Sequence, residues 1–139
     1  MTGQPGYAMT VLVHGSFDDA VSATRQALAD QGFGVLTEID MRATLKAKLD
    51  VDIPPQVILG ACRPPLAYAA LQAEPAIGLL LPCNVVVRAT DNDTTLVQAL
   101  NPDMMVSMTG NPNLVDVAAD ASARLSAALD SLLPAHQTS

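Results

Sequence analysis

The sequence is poor in aromatic residues and in positive charge. Trp is absent, and the aromatic side chains are Tyr7, Phe17, Phe33 and Tyr68. Proteins that stack nucleobases on rings use more of them than this. Seven Lys and Arg residues against fourteen Asp and Glu give a net charge of −7, which repels a phosphate backbone. Composition therefore argues against a nucleic-acid partner.

Long apolar runs and a recognisable leader are also missing. The longest apolar run, residues 77–81, ends at Pro82 and is far too short to cross a bilayer. Residues 1–7 contain no Lys or Arg, and Pro5 and Gly6 occupy the place of the apolar core of a signal peptide. We therefore expect a soluble, cytoplasmic protein without a membrane partner.

What the chain has is aliphatic side chains. Of its 139 residues, 50% are hydrophobic and 15% are charged, which is enough to bury a sizeable core. We expect a single domain over residues 1–139 that is ordered from about residue 7 to residue 133. The ends, residues 1–5 and 136–139, are typical of frayed tails.

Apolar periodicity predicts the element order β-α-β-α-β-α-β-β-α. Strands are expected over residues 8–13, 33–39, 57–61, 77–90 and 94–100, and a loop over residues 101–110. Pro82 has no N–H for a strand ladder, so it predicts a bulge, an edge or a junction within residues 77–90.

This alternation also suits a parallel doubly wound sheet. However, the two central helices are short, residues 77–100 resemble a hairpin, and no glycine-rich phosphate loop follows the first strand. We therefore expect an α+β fold, with an antiparallel or mixed sheet and the main helices packed on one face.

Four stretches form long central motifs: GFGVLTEID at 32–40, ILGAC at 58–62, PPLA at 64–67 and EPAIGLLLPCNVVV at 74–87. In these motifs, and over residues 7–133 as a whole, the sequence resembles the DUF302 family, whose function is unknown. The resemblance implies a compact α+β domain of the TBP-like β-α-β4-α type and a homodimer, and it implies no activity. TBP-like describes topology and lends no DNA-binding role.

Two positions depart from the pattern of that family. Arg63 stands where Asn is usual, and Gln56 stands where an aromatic residue is usual. The ligand preference of any site around Cys62 is therefore open.

Cys62 ends a predicted strand and precedes a helix whose first turn contains Pro64 and Pro65. A thiol near a helix N-terminus and beside an arginine is favoured as a nucleophile or a metal ligand. The alternative is a small buried residue that packs where the chain turns.

Cys83 lies between Pro82 and Asn84, at the interruption of the next strand. Twenty residues separate Cys62 from Cys83, so the two do not form a CxxC motif. If their strands are neighbours, the thiols would suit a reversible disulfide or a soft metal such as Cu(I). Two separate core thiols are the alternative, and we expect no other metal site.

Charged residues offer a second set of candidates. Glu38 and Asp40 alternate along one strand and so share a face, where paired carboxylates would bind a hard cation or transfer protons. The alternative for Asp40 is to cap the following helix. A basic cluster follows and would receive an anionic ligand or form surface ion pairs; it consists of Arg42, Lys46 and Lys48.

His14 and His136 have no HExxH companion, so the sequence does not indicate a zinc hydrolase. Methionine clusters at positions 104, 105 and 108 supply soft ligands in some proteins, and more often fill core or interface space.

Three functional hypotheses remain open. The first is a small-ligand or thiol-dependent binding module whose contacts are Cys62, Cys83, Glu38, Asn84 and Lys46, with no catalytic residue or cofactor assigned. The second is a non-catalytic homodimer whose partner surface is formed by residues 79–87 and the methionine-rich segment. The third is a redox enzyme with Cys62 as its centre, assisted by Glu38 or Lys46.

Overall fold

A five-stranded sheet forms the centre of the computed structural model, which describes residues 6–134. The strands are β1 (Ala8–His14), β2 (Gly34–Asp40), β3 (Gln56–Cys62), β4 (Cys83–Ala89) and β5 (Thr94–Leu100). Their spatial order is β1-β5-β4-β3-β2, and every neighbouring pair is antiparallel. The edges of the sheet are therefore β1 and β2, and β3, β4 and β5 lie inside it.

Five α-helices accompany the sheet within this range: α1 (Phe17–Asp30), α2 (Met41–Leu49), α3 (Pro64–Ala73), α4 (Asp103–Thr109) and α5 (Val115–Asp130). Short 3-10 helices occupy Pro75–Leu80 and Pro112–Leu114. The Ser16 hydroxyl caps α1 by accepting the N–H of Asp19 at 3.1 Å. None of the helices between residues 6 and 134 combines the length and apolarity needed to span a membrane.

The larger hydrophobic cluster, here called the main core, lies between the sheet and helices α1 and α5. Because side chains alternate along a strand, every second residue of the sheet faces these helices. Leu59, Val85 and Val97 are fully buried there, against Leu28 of α1 and Leu125 of α5. The fold class expected from the sequence, α+β with an antiparallel sheet and its main helices on one face, is confirmed, and the topology is compatible with the TBP-like type.

A second cluster, here called the small core, lies beyond one end of the sheet. Its members come from α3, both 3-10 helices, α4 and the start of α5, and the buried ones are Ala70, Ile77, Met105, Leu114 and Ala118. The protein therefore buries its apolar side chains in two clusters rather than one.

Residues on the other side of the strands form what we call the open sheet face. It carries aliphatic side chains that are half-buried or exposed, namely Leu12, Ile39, Ile58, Val86 and Leu96. Register aligns Ile39 with Ile58, Ile58 with Val86, and Leu12 with Leu96. Between β4 and β5 the aliphatic pairing is interrupted, because Val86 pairs with Gln98 and Leu96 pairs with Arg88.

Two predicted elements were wrong. Residues 77–81 are not strand: a 3-10 helix covers Pro75–Leu80, because its Ile77 packs into the small core and β4 begins only after Pro82. The Leu81–Pro82 peptide bond is cis. The predicted loop at 101–110 contains α4, which is anchored by buried Met105 and by Asn101, whose side chain accepts the N–H of Asp103 at 3.0 Å.

The strand expected to be half-buried, β2, is mostly exposed, because it is an edge strand and Val35 is its one partly buried residue. The tails expected at residues 1–5 and 136–139 lie outside the described residues, as does His136.

Candidate functional site

A small cavity of about 30 Å³ lies where the main core meets the small core. We call it the thiol cavity, because Cys62 at the end of β3 and Cys83 at the start of β4 both line it. Met105 of α4 contributes a third sulfur atom to the wall. Apart from the two thiols, Arg63 is the one polar side chain among the described residues that line it, and all the others are apolar.

Strand register explains why the two cysteines lie at the same end of the sheet. Ala61 of β3 pairs with Cys83 of β4, so the end of one strand lies beside the beginning of the other. A Cβ on Gly60 would overlap Thr37 Oγ1 and lie 2.9 Å from Pro82 Cγ. Glycine at this position therefore lets Thr37 and Pro82 close over the strand end.

The two thiols are free, and each is partly buried. Burial raises the pKa of the Cys83 thiol, and a nearby negative charge on Cys62 would raise that pKa further. Since the ordinary pKa of a cysteine is about 8.5, Cys83 is a neutral thiol at pH 7.

Arg63 follows Cys62 at the N-terminus of α3, but its side chain makes no capping hydrogen bond. It lies instead against Gly32, where an added Cβ would be 2.9 Å from Arg63 Nε. Gly32 also has φ of +86°, which glycine adopts without strain. Within residues 6–134, the buried Nε of Arg63 has no hydrogen-bond partner. Arg63, which lines the cavity, thus has a buried donor without a partner among the described residues.

Three other residues predicted for the site lie elsewhere. Glu38 forms an ion pair with Arg25 of α1. Lys46 lies on α2 with its Nζ 2.9 Å from Asp50 Oδ1. Because Asn84 follows Cys83 along β4, it points to the open sheet face, where it borders a separate depression of about 280 Å³. The structure therefore brings together Cys62 and Cys83 without Glu38, Lys46 or Asn84.

The alternative expected for Asp40 is confirmed: its Oδ1 accepts the N–H of Ala43 at 2.9 Å and caps α2. Glu38 and Lys46 are not among the residues that line the thiol cavity.

Sequence reasoning did not assign Met105 or Arg63 to the pocket. Met105 was one of three clustered methionines, and it is 4% exposed whereas Met108 is 64% exposed. The available signal was Asn101, whose side chain accepts the N–H of Asp103 in a turn just before α4. A helix after that turn gives the methionines distinct faces. No cluster of three or more His, Cys, Asp or Glu side chains that would hold a metal ion occurs in the part of the chain that the structure describes.

Comparison with known protein families shows which family the chain belongs to. The model of the family "Domain of unknown function DUF302" matches residues 9–132. The chain belongs to the DUF302 family. A solved DUF302 structure, the crystal structure of an uncharacterized conserved protein from Bacillus stearothermophilus, shares 32% identity and a TM-score of 0.85, covering 93% of this chain and 100% of that one. No curated protein matches. As a DUF302 protein, the chain has a known fold and a function that is not established.

Proposed function

We propose that this DUF302 protein is a thiol-dependent binding module that holds a small thiophilic ligand between Cys62 and Cys83. One observation carries the proposal: two cysteines from neighbouring strand ends line the same cavity. Free cysteines are more often separate, inert core residues. Placing both at one apolar cavity provides two sulfur donors to a single occupant.

The size of the cavity limits the ligand. Pockets for organic ligands have volumes of about 300–1,000 Å³, and the thiol cavity has about 30 Å³. That volume holds one or two water-sized groups. The occupant is therefore an ion or a small group bonded to sulfur, and not a nucleotide or a flavin.

The state of the thiols supports a reducing location. Both cysteines are free, and thiols persist in the cytosol because glutathione and thioredoxin keep them reduced. We accordingly propose the cytoplasm as the working compartment.

Thiol modification of the native protein tests this proposal. A small reagent such as methyl methanethiosulfonate should modify Cys62 first, and Cys83 more slowly because burial raises its pKa. Modification of one thiol should also slow the second, because a cavity of about 30 Å³ has room for one added group. Mass spectrometry over time, on wild type, Cys62→Ser and Cys83→Ser, gives both rates.

In Cys62→Ser, Cys83 should react faster than it does in wild type once Cys62 has been modified. Two thiols that react independently would contradict a shared site. So would two thiols that react only after urea is added.

The open sheet face favours homodimerisation as a second candidate function. Five strands of seven residues span an area of about 24 Å by 24 Å, roughly 570 Å² in projection. Each partner of a stable dimer buries about 800 Å² of accessible surface. The accessible surface of a face is larger than its projected area, so the open sheet face is close to the size that a dimer needs. Arg88 is the one Lys or Arg whose side chain belongs to this face among the described strands. Glu38 and Asp40 are the acidic residues of these strands, and they pair with Leu59 and Val57 of the main core rather than with residues of the open sheet face. Two copies of a chain with net charge −7 would therefore bring no strand carboxylates together here.

The partner surface suggested by the sequence is different. Val85 and Val87 of residues 79–87 are fully buried in the main core and so are not accessible to a partner. Leu79 is 89% exposed and lies near Met108, on the small core.

The molar mass of three proteins, measured by light scattering, tests which of these two surfaces forms the dimer. A dimer is expected for wild type and for Leu79→Lys, and a monomer for Leu12→Lys, which places charge on the open sheet face at a side chain already 40% exposed. If Leu79→Lys alone breaks the dimer, the interface lies at the small core and not at the open sheet face. A monomeric wild type would exclude homodimerisation as the function.

A further inference from the structure

Three sulfur-containing residues from three elements line the thiol cavity. Cys62 comes from β3, Cys83 from β4 and Met105 from α4, and all three line the same 30 Å³. Met105 is 4% exposed and belongs to the small core, whereas Cys83 packs against the main core. The cavity is thus lined by sulfur-containing residues from both hydrophobic clusters.

We propose that this site binds one soft monovalent metal ion, Cu(I), with Cys62 and Cys83 as thiolate ligands and Met105 as a thioether ligand. This inference rests on the proposed function and names its ligand. Thiolate and thioether donors select Cu(I) over harder ions. Structural zinc sites need four nitrogen, sulfur or oxygen donors, and the described residues offer no group of three or more His, Cys, Asp or Glu.

Charge at the site also fits this ion. Binding releases the two thiol protons, so two thiolates and one Cu(I) carry a combined charge of −1. Burying that charge is costly unless it is paired. Arg63 lines the cavity, and its buried Nε–H has no partner among residues 6–134. Its guanidinium supplies the compensating positive charge, and the apolar wall keeps water away from the ion.

Competition with a colorimetric Cu(I) chelator, bicinchoninate, tests the proposal on reduced protein under anaerobic conditions. Wild type should withdraw one Cu(I) per chain and develop the ultraviolet charge-transfer absorption of a Cu(I)–thiolate bond. Cys62→Ser and Cys83→Ser should each lose this absorption and most of the affinity. Arg63→Gln should weaken binding about tenfold, the usual effect of losing a group that supports the ligands.

Met105→Leu is the decisive variant, because it conserves volume and should fold normally. We expect it to weaken Cu(I) binding by about tenfold or more, comparable to the loss of a supporting group. Met108→Leu on the same helix is the control, since Met108 is 64% exposed and does not line the cavity. Equal affinities for the two methionine variants would overturn the three-sulfur site.

The outcomes separate this inference from the function on which it rests. A wild type that leaves all Cu(I) with the chelator, while its thiols still react as one site with methyl methanethiosulfonate, overturns the metal assignment alone. Thiols that are inert in both experiments would remove the proposed function as well.

Discussion

Replacing Gly60 with alanine tests whether close packing fixes the strand end beside the thiol cavity. At an ordinary strand position this change stabilises by about 0.5–1 kcal/mol, because alanine has less backbone freedom to lose on folding. Here the added Cβ would overlap Thr37 Oγ1 and lie 2.9 Å from Pro82 Cγ. Overpacking costs about 1–3 kcal/mol. The packing cost exceeds the backbone gain, and we expect a net loss of about 1–2 kcal/mol in the free energy of unfolding.

The two crowded groups differ in how far they can yield, so a double-mutant cycle distinguishes them. Thr37 is exposed on β2 and its hydroxyl is removable, whereas the Pro82 ring is rigid. Adding Thr37→Ala should restore about 0.5–1 kcal/mol beyond the effect of that change alone, as coupled neighbours do. The Pro82 contact should account for the remaining loss.

Urea unfolding of the four proteins of this cycle measures the effect, with midpoints compared at an unchanged slope. Gly78→Ala is the control, because a Cβ there meets nothing within 4 Å. That control should be neutral or slightly stabilised. The argument is refuted if Gly60→Ala is as stable as wild type, or if Gly78→Ala loses as much.

The remaining predictions concern a helix cap and two titrating groups. Ser16→Ala removes the acceptor for the Asp19 N–H and should cost about 1 kcal/mol in urea unfolding, whereas an equal loss in Ser16→Asp would contradict a capping role. A backbone hydrogen bond from Asp93 holds the pKa of Asp91 below its ordinary 3.8. The ionised Asp91 therefore makes its full contribution to stability above pH 3.8, and this contribution disappears as the pH falls through the lower folded-state pKa. Asp91→Asn should therefore flatten the acid side of a stability–pH curve, and superimposable curves would count against this. Burial raises the pKa of Cys83, so stability is undiminished below the unfolded-state pKa of about 8.5 and falls as pH rises toward the folded-state pKa. Cys83→Ala should remove that alkaline decline, which thermal unfolding at a series of pH values would measure.

Much of the fold was predictable because alternation and capping residues are local signals. The expected strand at 94–100 matches β5, and Pro64 and Pro65 correctly marked the first turn of α3. Residues 77–81 misled the prediction because a short apolar run looks the same in a buried strand and in a buried helical turn. The burial of Ile77 in the small core decided between them, and that is a tertiary effect.

The candidate site was predictable only in part, for a related reason. Sequence position placed Cys62 and Cys83 at element ends, but only the register of β3 against β4 brings those two ends to the same side of the sheet, beside one cavity. No residue near Glu38 in the sequence identifies its ion-pair partner, because Arg25 of α1 comes beside it only in the folded structure. Pairings between residues far apart in sequence have no local signal.

Because the interior is divided into the main core and the small core, the rate at which a ligand reaches the thiol cavity between them depends on local unfolding. Helices α3 and α4 belong to the small core, so they can separate locally while the hydrogen-bonded sheet stays intact. Their amides should exchange with deuterium sooner than those of β3, β4 and β5. Binding of a ligand to the sulfur atoms would then be limited by this local opening, and the binding rate would reach a plateau at high ligand concentration.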